Sequence, residues 1–305
     1  MSVILRASKV PQSLVDTLSL GNDIIDLNDF TSEREKEVEI ILASGESIVE
    51  AALINRLPNL RMITVFGVGY DGVDIHAARQ RDISVTNTPD ILTEDVADLA
   101  IALMLSVARR INGAQRFIER GDWQGGAFPP AIKVTGKRLG IVGFGRIGRA
   151  VAQRAEGFSM QVGCYNRSDP QSQSVTYYPS LMSLAQNSDF LIVCASGGET
   201  SRHLINQDVL NALGPKGILI NVARGSVVDE DELIQAIKTE QIAGAGLDVF
   251  ANEPLVPNSL FNRDNVVLTP HIGSATSSTR AAMAKLVMDN ISAYQAGHPL
   301  LTPVV

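Results

Sequence analysis

The sequence predicts an α/β protein of two domains, each a parallel sheet flanked by helices, with a cleft separating them. Three observations predict it. Short aliphatic and β-branched runs alternate with helical patterns from one end of the chain to the other, as parallel sheets with crossover helices require. At 305 residues the chain is about twice the length of an average domain, which suits two domains or one large α/β unit. Finally, a loose stretch from Gly121 to Gly136, with Gly125-Gly126 and Pro129-Pro130, ends where a new series of strands begins.

In the first part of the chain, strands are expected at Val3 to Arg6, Asp23 to Leu27, Glu39 to Ala43, Met62 to Phe66 and Ile83 to Asn87. A helix is expected at Glu46 to Arg56, where apolar residues recur at three- and four-residue spacing. Glu94 to Ile111 reads as one long helix, rich in helix formers and free of Gly and Pro. It is apolar almost all round, which predicts burial, with the space between the domains as a candidate location. From Lys137 onward six strands are expected, at Arg138 to Val142, Gln161 to Asn166, Phe190 to Cys194, Gly217 to Val222, Ala243 to Val249 and Asn265 to Leu268. A closing helix, Thr279 to Gln295, follows the last of them and returns to the first domain. The expected boundaries are therefore residues 1–98 with 279–305 for one domain and 99–278 for the other.

Composition narrows the function classes. Apolar residues make up 45% and charged residues 19%, the balance of an ordinary globular protein rather than a disordered one. The net charge of -7, with no dense Lys/Arg cluster, argues against nucleic acid as a partner. The opening Met1-Ser-Val-Ile-Leu-Arg6 turns polar at once and lacks the regions of a signal peptide, and no apolar run approaches the roughly 20 residues of a membrane span. A cytoplasmic protein is expected. The two cysteines, Cys164 and Cys194, end apolar runs and read as reduced core thiols, and no metal site is expected.

The sharpest local signal is Gly143-Phe-Gly145-Arg146-Ile147-Gly148, placed between the strand Leu139-Gly-Ile-Val142 and the helical run Arg146 to Ala155. In that context Gly143 permits a tight turn, Gly145 lets a pyrophosphate approach the backbone, and Gly148 lets helix pack closely on strand. The helix N-terminus faces the negative charge. A cofactor without a 2'-phosphate is usually held by an acid about 20 residues further on. Here that place holds Asn166-Arg167-Ser168, where Arg167 offers charge-assisted hydrogen bonds to a 2'-phosphate and Ser168 a further donor. NADP(H) is expected over NAD; the alternative is a solvated Arg167 in a pocket that tolerates both.

Three polar residues follow successive expected strands: Arg224 after Leu219-Ile-Asn-Val-Ala223, Glu253 after Leu247-Asp-Val-Phe250, and His271 after Val266-Val-Leu-Thr-Pro270. Open α/β sheets build their sites at such strand ends. Together they supply what reduction of a 2-oxo acid needs. A guanidinium grips the carboxylate in a fork, an imidazolium protonates the developing alkoxide, and a carboxylate keeps the imidazole charged. Singly, His271 reads as a structural histidine, Arg224 as a strand cap and Glu253 as a solvated charge; their common placement favours the catalytic reading.

Asn221-Val222-Ala223-Arg224-Gly-Ser-Val-Val-Asp229, Gly246-Leu-Asp248-Val-Phe, Asn252-Glu253-Pro254 and Leu268-Thr-Pro-His271-Ile-Gly273 resemble, in order and with fitting gaps, the motifs of the D-isomer-specific 2-hydroxyacid dehydrogenases. The resemblance covers nearly the whole chain. It implies Rossmann-like and flavodoxin-like domains, residues 99–278 binding NADP and the remainder binding substrate. It implies Arg224, Glu253 and His271 as the catalytic set, with Arg224 and His271 also touching substrate. In the first domain, Gly67-Val68-Gly69-Tyr70-Asp71-Gly72 resembles the family's substrate loop, so Val68 and Gly69 are implied carboxylate binders. Asp248 is the implied partner of the nicotinamide carboxamide. Arg146, Ile147, Ser196, Thr200, Val222 and Ala223 are implied to line the cofactor site, and a homodimer is implied as the assembly.

Asn166 replaces the acid of NAD-preferring members, and the chain lacks the regulatory extension of longer phosphoglycerate dehydrogenases. The glyoxylate and hydroxypyruvate reductase branch is the nearest in format. Larger oxo acids, hydroxyphenylpyruvate and 2-ketogluconate, stay open, because pocket selectivity is worth only about 1–3 kcal/mol per methylene. Two rival readings are a dinucleotide-sensing corepressor, which shares the fold and the polar trio, and a formate dehydrogenase, which places Gln where Glu253 stands. Trp123 is left between a packing role and a role across a dimer.

Overall fold

The aliphatic run Val3–Arg6 forms the first strand, β1, and is followed by α1 (Gln12–Ser19), β2 (Asp23–Asp26), β3 (Val38–Ser44), α2 (Ala51–Arg56), β4 (Met62–Phe66), α3 (Ile75–Gln80) and β5 (Ser84–Thr86). The computed structural model describes residues 1–305, which divide into two compact units: residues 1–92 with 274–305, and residues 93–273. The five strands of the first unit pair in parallel in the order β2-β1-β3-β4-β5, the flavodoxin-like order. Every residue of β4 is buried, as its largely apolar and β-branched make-up predicts for a parallel strand covered on both faces. Leu5, Ile41, Ile63 and Val85 from the strands meet Leu57 and Leu60 in the core.

One helix is shorter than its periodicity implied. Residues 46–50 stay outside α2 because Val49 forms a bridge with Val73, its N–H donating to the Gly72 carbonyl at 2.8 Å. The apolar spacing of Ile48 and Val49 thus serves an extended segment.

The second unit contains α4 (Thr93–Ala108), α5 (Ile111–Glu119), β6 (Arg138–Val142), α6 (Arg146–Glu156), β7 (Gln161–Tyr165), β8 (Thr176–Tyr177), α7 (Leu181–Gln186), β9 (Phe190–Val193), α8 (Gln207–Leu213), β10 (Ile218–Asn221), α9 (Glu230–Lys238), β11 (Gly244–Leu247) and β12 (Val266–Leu268). Its sheet has seven strands, all parallel, in the order β12-β11-β10-β9-β6-β7-β8. The expectation of six is corrected by β8, whose Thr176 and Tyr177 pair with Gly163 and Cys164. Strand order reverses between β6 and β9, the place where doubly wound sheets open a crevice at their carboxyl ends.

The long helix also ends early, at Ala108. Arg110 adopts a left-handed backbone (φ 53°) and the chain restarts as α5. Tertiary contacts account for the break: the Arg110 guanidinium bonds Asp264 at 3.2 Å and lies 5.3 Å from the centre of the Phe128 ring, while Arg116 reaches the same carboxylate at 2.6 Å. Within this unit α4 packs against β10, β11 and α6.

The last helix, α10 (Ser277–Gln295), belongs to the first unit and packs on β4. After it the chain runs antiparallel along β5, with Val304 N–H donating to Val85 O at 2.7 Å and Val85 N–H to Val305 O at 3.0 Å. No helix is long and apolar enough to cross a membrane.

Candidate active site

At the turn from β6 to α6, the three glycines meet the constraints that their spacing suggests. Gly143 has φ +89°, and a Cβ there would lie 2.7 Å from the Ala195 backbone, so only glycine fits. A Cβ on Gly148 would lie 2.3 Å from the Gly143 carbonyl oxygen, which is the close approach of helix to strand. Gly145 differs: a Cβ there would meet nothing within 4 Å. It is the N-cap of α6 and contributes no side-chain cap, so the helix presents its first amides to that open space. This cradle fits a pyrophosphate, with Arg146 and Ile147 opening the helix beside it.

The neighbouring β7 ends in the turn expected to read the 2'-phosphate. Asn166 is spent on the turn itself, its Nδ2 donating to the Ser168 carbonyl at 3.3 Å, while Arg167 and Ser168 are exposed. Arg167 forms no ion pair. On the other side of the strand-order reversal, beyond β9, Ser196 and Thr200 are exposed, and the Ser201 hydroxyl donates to Ser196 O at 2.7 Å.

Arg224 lies just past β10. Asn221 shapes its turn by donating to the Arg224 carbonyl at 2.9 Å and accepting the Ala223 N–H at 3.0 Å. Val222 and Ala223 are buried there, and Arg224 Nη1 donates to the Ala223 carbonyl at 2.8 Å. The next residue, Gly225, is flush against the following strand's loop: a Cβ on it would lie 1.9 Å from the Phe250 carbonyl. Phe250 in turn donates its N–H to Glu253 Oε1 at 2.8 Å. Glu253 Oε2 lies 2.7 Å from His271 Nδ1. The structure therefore joins Glu253 to His271 directly and sets Arg224 on the adjoining strand end, through Gly225 and Phe250. Both members of the carboxylate–imidazole pair are partly buried, with 20% and 29% of their side chains exposed.

Asp248 has a larger part than the sequence suggested. It is buried, and it organises the turn that carries His271: Oδ1 accepts the Thr269 hydroxyl at 2.6 Å and the Ile272 N–H at 2.8 Å, and Oδ2 accepts the Gly273 N–H at 2.9 Å. Its backbone carbonyl accepts the His271 N–H at 2.8 Å. His271 itself has a left-handed backbone (φ 52°), a conformation that needs such external support. Burial pushes the Asp248 carboxyl above the usual carboxylate value, while the Thr269 hydroxyl, the two amides and the nearby His271 oppose that shift. Three of about four carboxylate acceptor positions are thus occupied, leaving one for another donor.

A second histidine–carboxylate pair was not anticipated. His203 Nδ1 stands 3.0 Å from Asp229 Oδ2, and Asp229 also caps α9 by accepting the Glu232 N–H. Nothing in the local spacing marks this pair; parallel bridging of Ile205 with Val228 brings the segments together. In the first unit, Val68 and Gly69 follow β4 and are half-buried. Cys164 and Cys194 are free thiols, and burial pushes Cys194 up to about 12. Trp123 is 67% exposed, which rules out a core packing role within its unit.

Residues 101–273 match the family profile described as D-isomer specific 2-hydroxyacid dehydrogenase, NAD binding domain. The chain is 47% identical over 277 residues to a hydroxyphenylpyruvate reductase of Plectranthus scutellarioides, covering 91% of this chain and 88% of that one. It is also 47% identical over 268 residues to a glyoxylate/hydroxypyruvate reductase A of Arabidopsis thaliana, covering 88% and 86%. Among solved structures, an NADPH-dependent glyoxylate/hydroxypyruvate reductase of Sinorhizobium meliloti, in complex with NADP and malonate, superposes with a TM-score of 0.93 at 41% identity, covering 100% of this chain and 97% of that one.

Proposed function

The chain belongs to the D-isomer-specific 2-hydroxyacid dehydrogenase family, and from that premise we propose that it reduces small 2-oxo acids, glyoxylate and hydroxypyruvate foremost, to (R)-2-hydroxy acids with NADPH. The observation that carries the reading is the 2.7 Å contact between Glu253 Oε2 and His271 Nδ1, placed one strand end away from Arg224.

The proposed roles follow from the chemistry of each group. When bound, the reduced nicotinamide supplies a hydride to the ketone carbon. His271 supplies the proton that the developing alkoxide needs, from Nε2, the ring nitrogen that Glu253 does not engage. A carboxylate on Nδ1 favours the charged ring and fixes its orientation. Arg224 takes the substrate carboxylate in its planar fork and polarises the ketone. The Val68 and Gly69 amides are assigned to the same carboxylate. The α6 amides with Gly143, Gly145, Arg146, Ile147 and Gly148 are assigned to the pyrophosphate. Ser196, Thr200, Val222 and Ala223 are assigned to the remaining cofactor wall, with the last acceptor position of Asp248 for the carboxamide. Residues 93–273 are then the cofactor-binding unit and the rest the substrate-binding unit.

Preference for NADPH rests on Arg167 and Ser168, exposed and without a carboxylate partner where an acid would otherwise hold the ribose. The NADP-bound relative supports it. A homodimer is the proposed assembly, supported by Ile111, Ile118 and Trp123, large apolar side chains exposed along α5 and the turn after it. A cytoplasmic location is the proposed setting, in keeping with the free thiols of Cys164 and Cys194.

A specific observation keeps a second reading in view: the hydroxyphenylpyruvate reductase is as similar to this chain as the glyoxylate/hydroxypyruvate reductase is. Steady-state assays with glyoxylate, hydroxypyruvate, hydroxyphenylpyruvate and 2-ketogluconate, each with NADPH and NADH, test both. The highest kcat/KM is expected for one of the two small acids with NADPH. A higher value for a larger acid would favour the second reading, and no oxidation of either cofactor would favour a dinucleotide-binding protein without this activity.

A further inference from the structure

The direction of the Val68 and Gly69 amides is set from behind, through the carbonyls that share their peptide planes. In a planar trans peptide the C=O and the N–H point in opposite directions, so fixing one aims the other. The Val68 N–H shares its plane with the Gly67 carbonyl, which accepts the Thr88 N–H at 2.8 Å. The Gly69 N–H shares its plane with the Val68 carbonyl, which accepts Asn87 Nδ2 at 2.8 Å.

Asn87 is itself anchored from a distant part of the chain. Its backbone carbonyl accepts the Thr302 hydroxyl at 2.6 Å. Thr302 Oγ1 accepts Asn290 Nδ2 at 3.0 Å, and Asn290 Oδ1 accepts the N–H groups of Leu301 and Thr302 at 3.0 and 3.2 Å. A last bond, from Asn290 Nδ2 to the Leu286 carbonyl at 2.9 Å, ties the amide to α10. Asn290 is 1% exposed with its amide fully partnered, the condition in which a buried polar network rigidifies what it touches. The antiparallel bonds of Val304 and Val305 to Val85 hold the same segment beside β5, which ends next to Asn87.

We propose that Asn290 and Thr302 are positioning residues that, through Asn87, aim the Gly69 amide at the substrate carboxylate, so that the segment after α10 sets substrate affinity. The proposal rests on the assignment of the Val68 and Gly69 amides to that carboxylate.

Thr302→Val removes the hydroxyl at nearly constant size, and Thr302→Ser restores it. The measurements are KM and kcat for glyoxylate, NADPH Kd by titration of Trp123 fluorescence, and amide hydrogen exchange of the peptide covering residues 67–70 in the substrate-free protein. For Thr302→Val, KM rises about tenfold, the scale of one well-aimed hydrogen bond to a charged group. kcat and NADPH Kd stay within about twofold, exchange at residues 67–70 quickens, and Thr302→Ser reverses both effects. A purely structural role would lower thermal stability without this KM-selective signature. Unchanged exchange and unchanged KM overturn the proposal at the relay itself. Faster exchange with unchanged KM overturns it at the carboxylate assignment, whereas a wild-type protein inactive on every oxo acid refutes the functional reading beneath both. If Thr302→Val does not fold, Asn87→Ala removes the donor to Val68 directly and must give the same signature.

Discussion

Both carboxylate oxygens of Glu253 are engaged: Oε2 lies 2.7 Å from Nδ1 of His271, and Oε1 accepts the Phe250 N–H at 2.8 Å. The carboxylate therefore has one orientation, and the imidazole bonded to it has one as well. His271→Ala is expected to lower kcat by about 100- to 10,000-fold, the usual share of a positioned proton donor, with NADPH binding preserved. An unchanged kcat would remove His271 from the mechanism. Glu253→Gln keeps a partner on Nδ1 but removes the charge, so the fall in reduction rate with rising pH is expected to move to lower pH. A pH–rate profile superimposable on that of the wild type would separate Glu253 from the proton donor.

Arg224→Lys retains a positive charge and loses the planar fork. The expected cost is about 10- to 100-fold in kcat/KM, the scale of one or two charge-assisted hydrogen bonds. Near-normal kinetics with glyoxylate would refute the two-point grip.

Arg167→Ala is expected to raise the KM for NADPH about tenfold or more while leaving that for NADH nearly unchanged, because only NADPH carries the 2'-phosphate. Equal effects on the two cofactors would leave Arg167 a surface charge. Ser168→Ala provides a milder version of the same comparison.

Asp189, between α7 and β9, gives a pH prediction independent of catalysis. Hydrogen bonds from the Arg138 guanidinium hold its carboxyl below the usual value of 3.8, with burial opposing. A depressed carboxylate contributes stability that is present above its unfolded value and lost as pH falls through its folded one. Asp189→Asn is therefore expected to lower the thermal midpoint at neutral pH modestly, the pair being partly exposed, and the difference from the wild type should shrink below about pH 4. A difference constant down to pH 2 would assign the effect to packing.

Much of the architecture was legible because the physics behind it is local. Val3 to Arg6, Met62 to Phe66 and Arg138 to Val142 are largely apolar runs whose ends match the strands, since buried parallel strands need little beyond a short, mostly apolar sequence. Gly143 and Gly148 were legible because backbone clearance leaves few alternatives to glycine, and Gly145 because a pyrophosphate cradle needs open space beside the helix start. The misses came from contacts made far along the chain. Val49 leaves the helical pattern for Val73, and Arg110 breaks a continuous helix without Gly or Pro because Asp264 and Phe128 engage it. In the site, the placement of Glu253 and His271 at successive strand ends pointed to their contact. No pattern signalled that Asp248 would hold the His271 turn, or that Thr302 would bond to Asn87, 215 residues away.

The interrupted make-up of the first unit has a consequence for the order of events during synthesis. β1 to β5 leave the ribosome early, yet α10, which covers β4, and the segment that pairs with β5 are encoded after residues 93–273. At about 5–20 residues per second, that interval lasts roughly 10–40 seconds. Throughout it the nascent β4 face and the β5 edge are exposed to water, and an uncovered parallel edge is a template for unwanted pairing. Residues 93–273 meet no such delay, since their sheet and helices form one continuous stretch. The second unit can thus close its core first, and the first unit is the half of the newborn chain most exposed to chaperone capture.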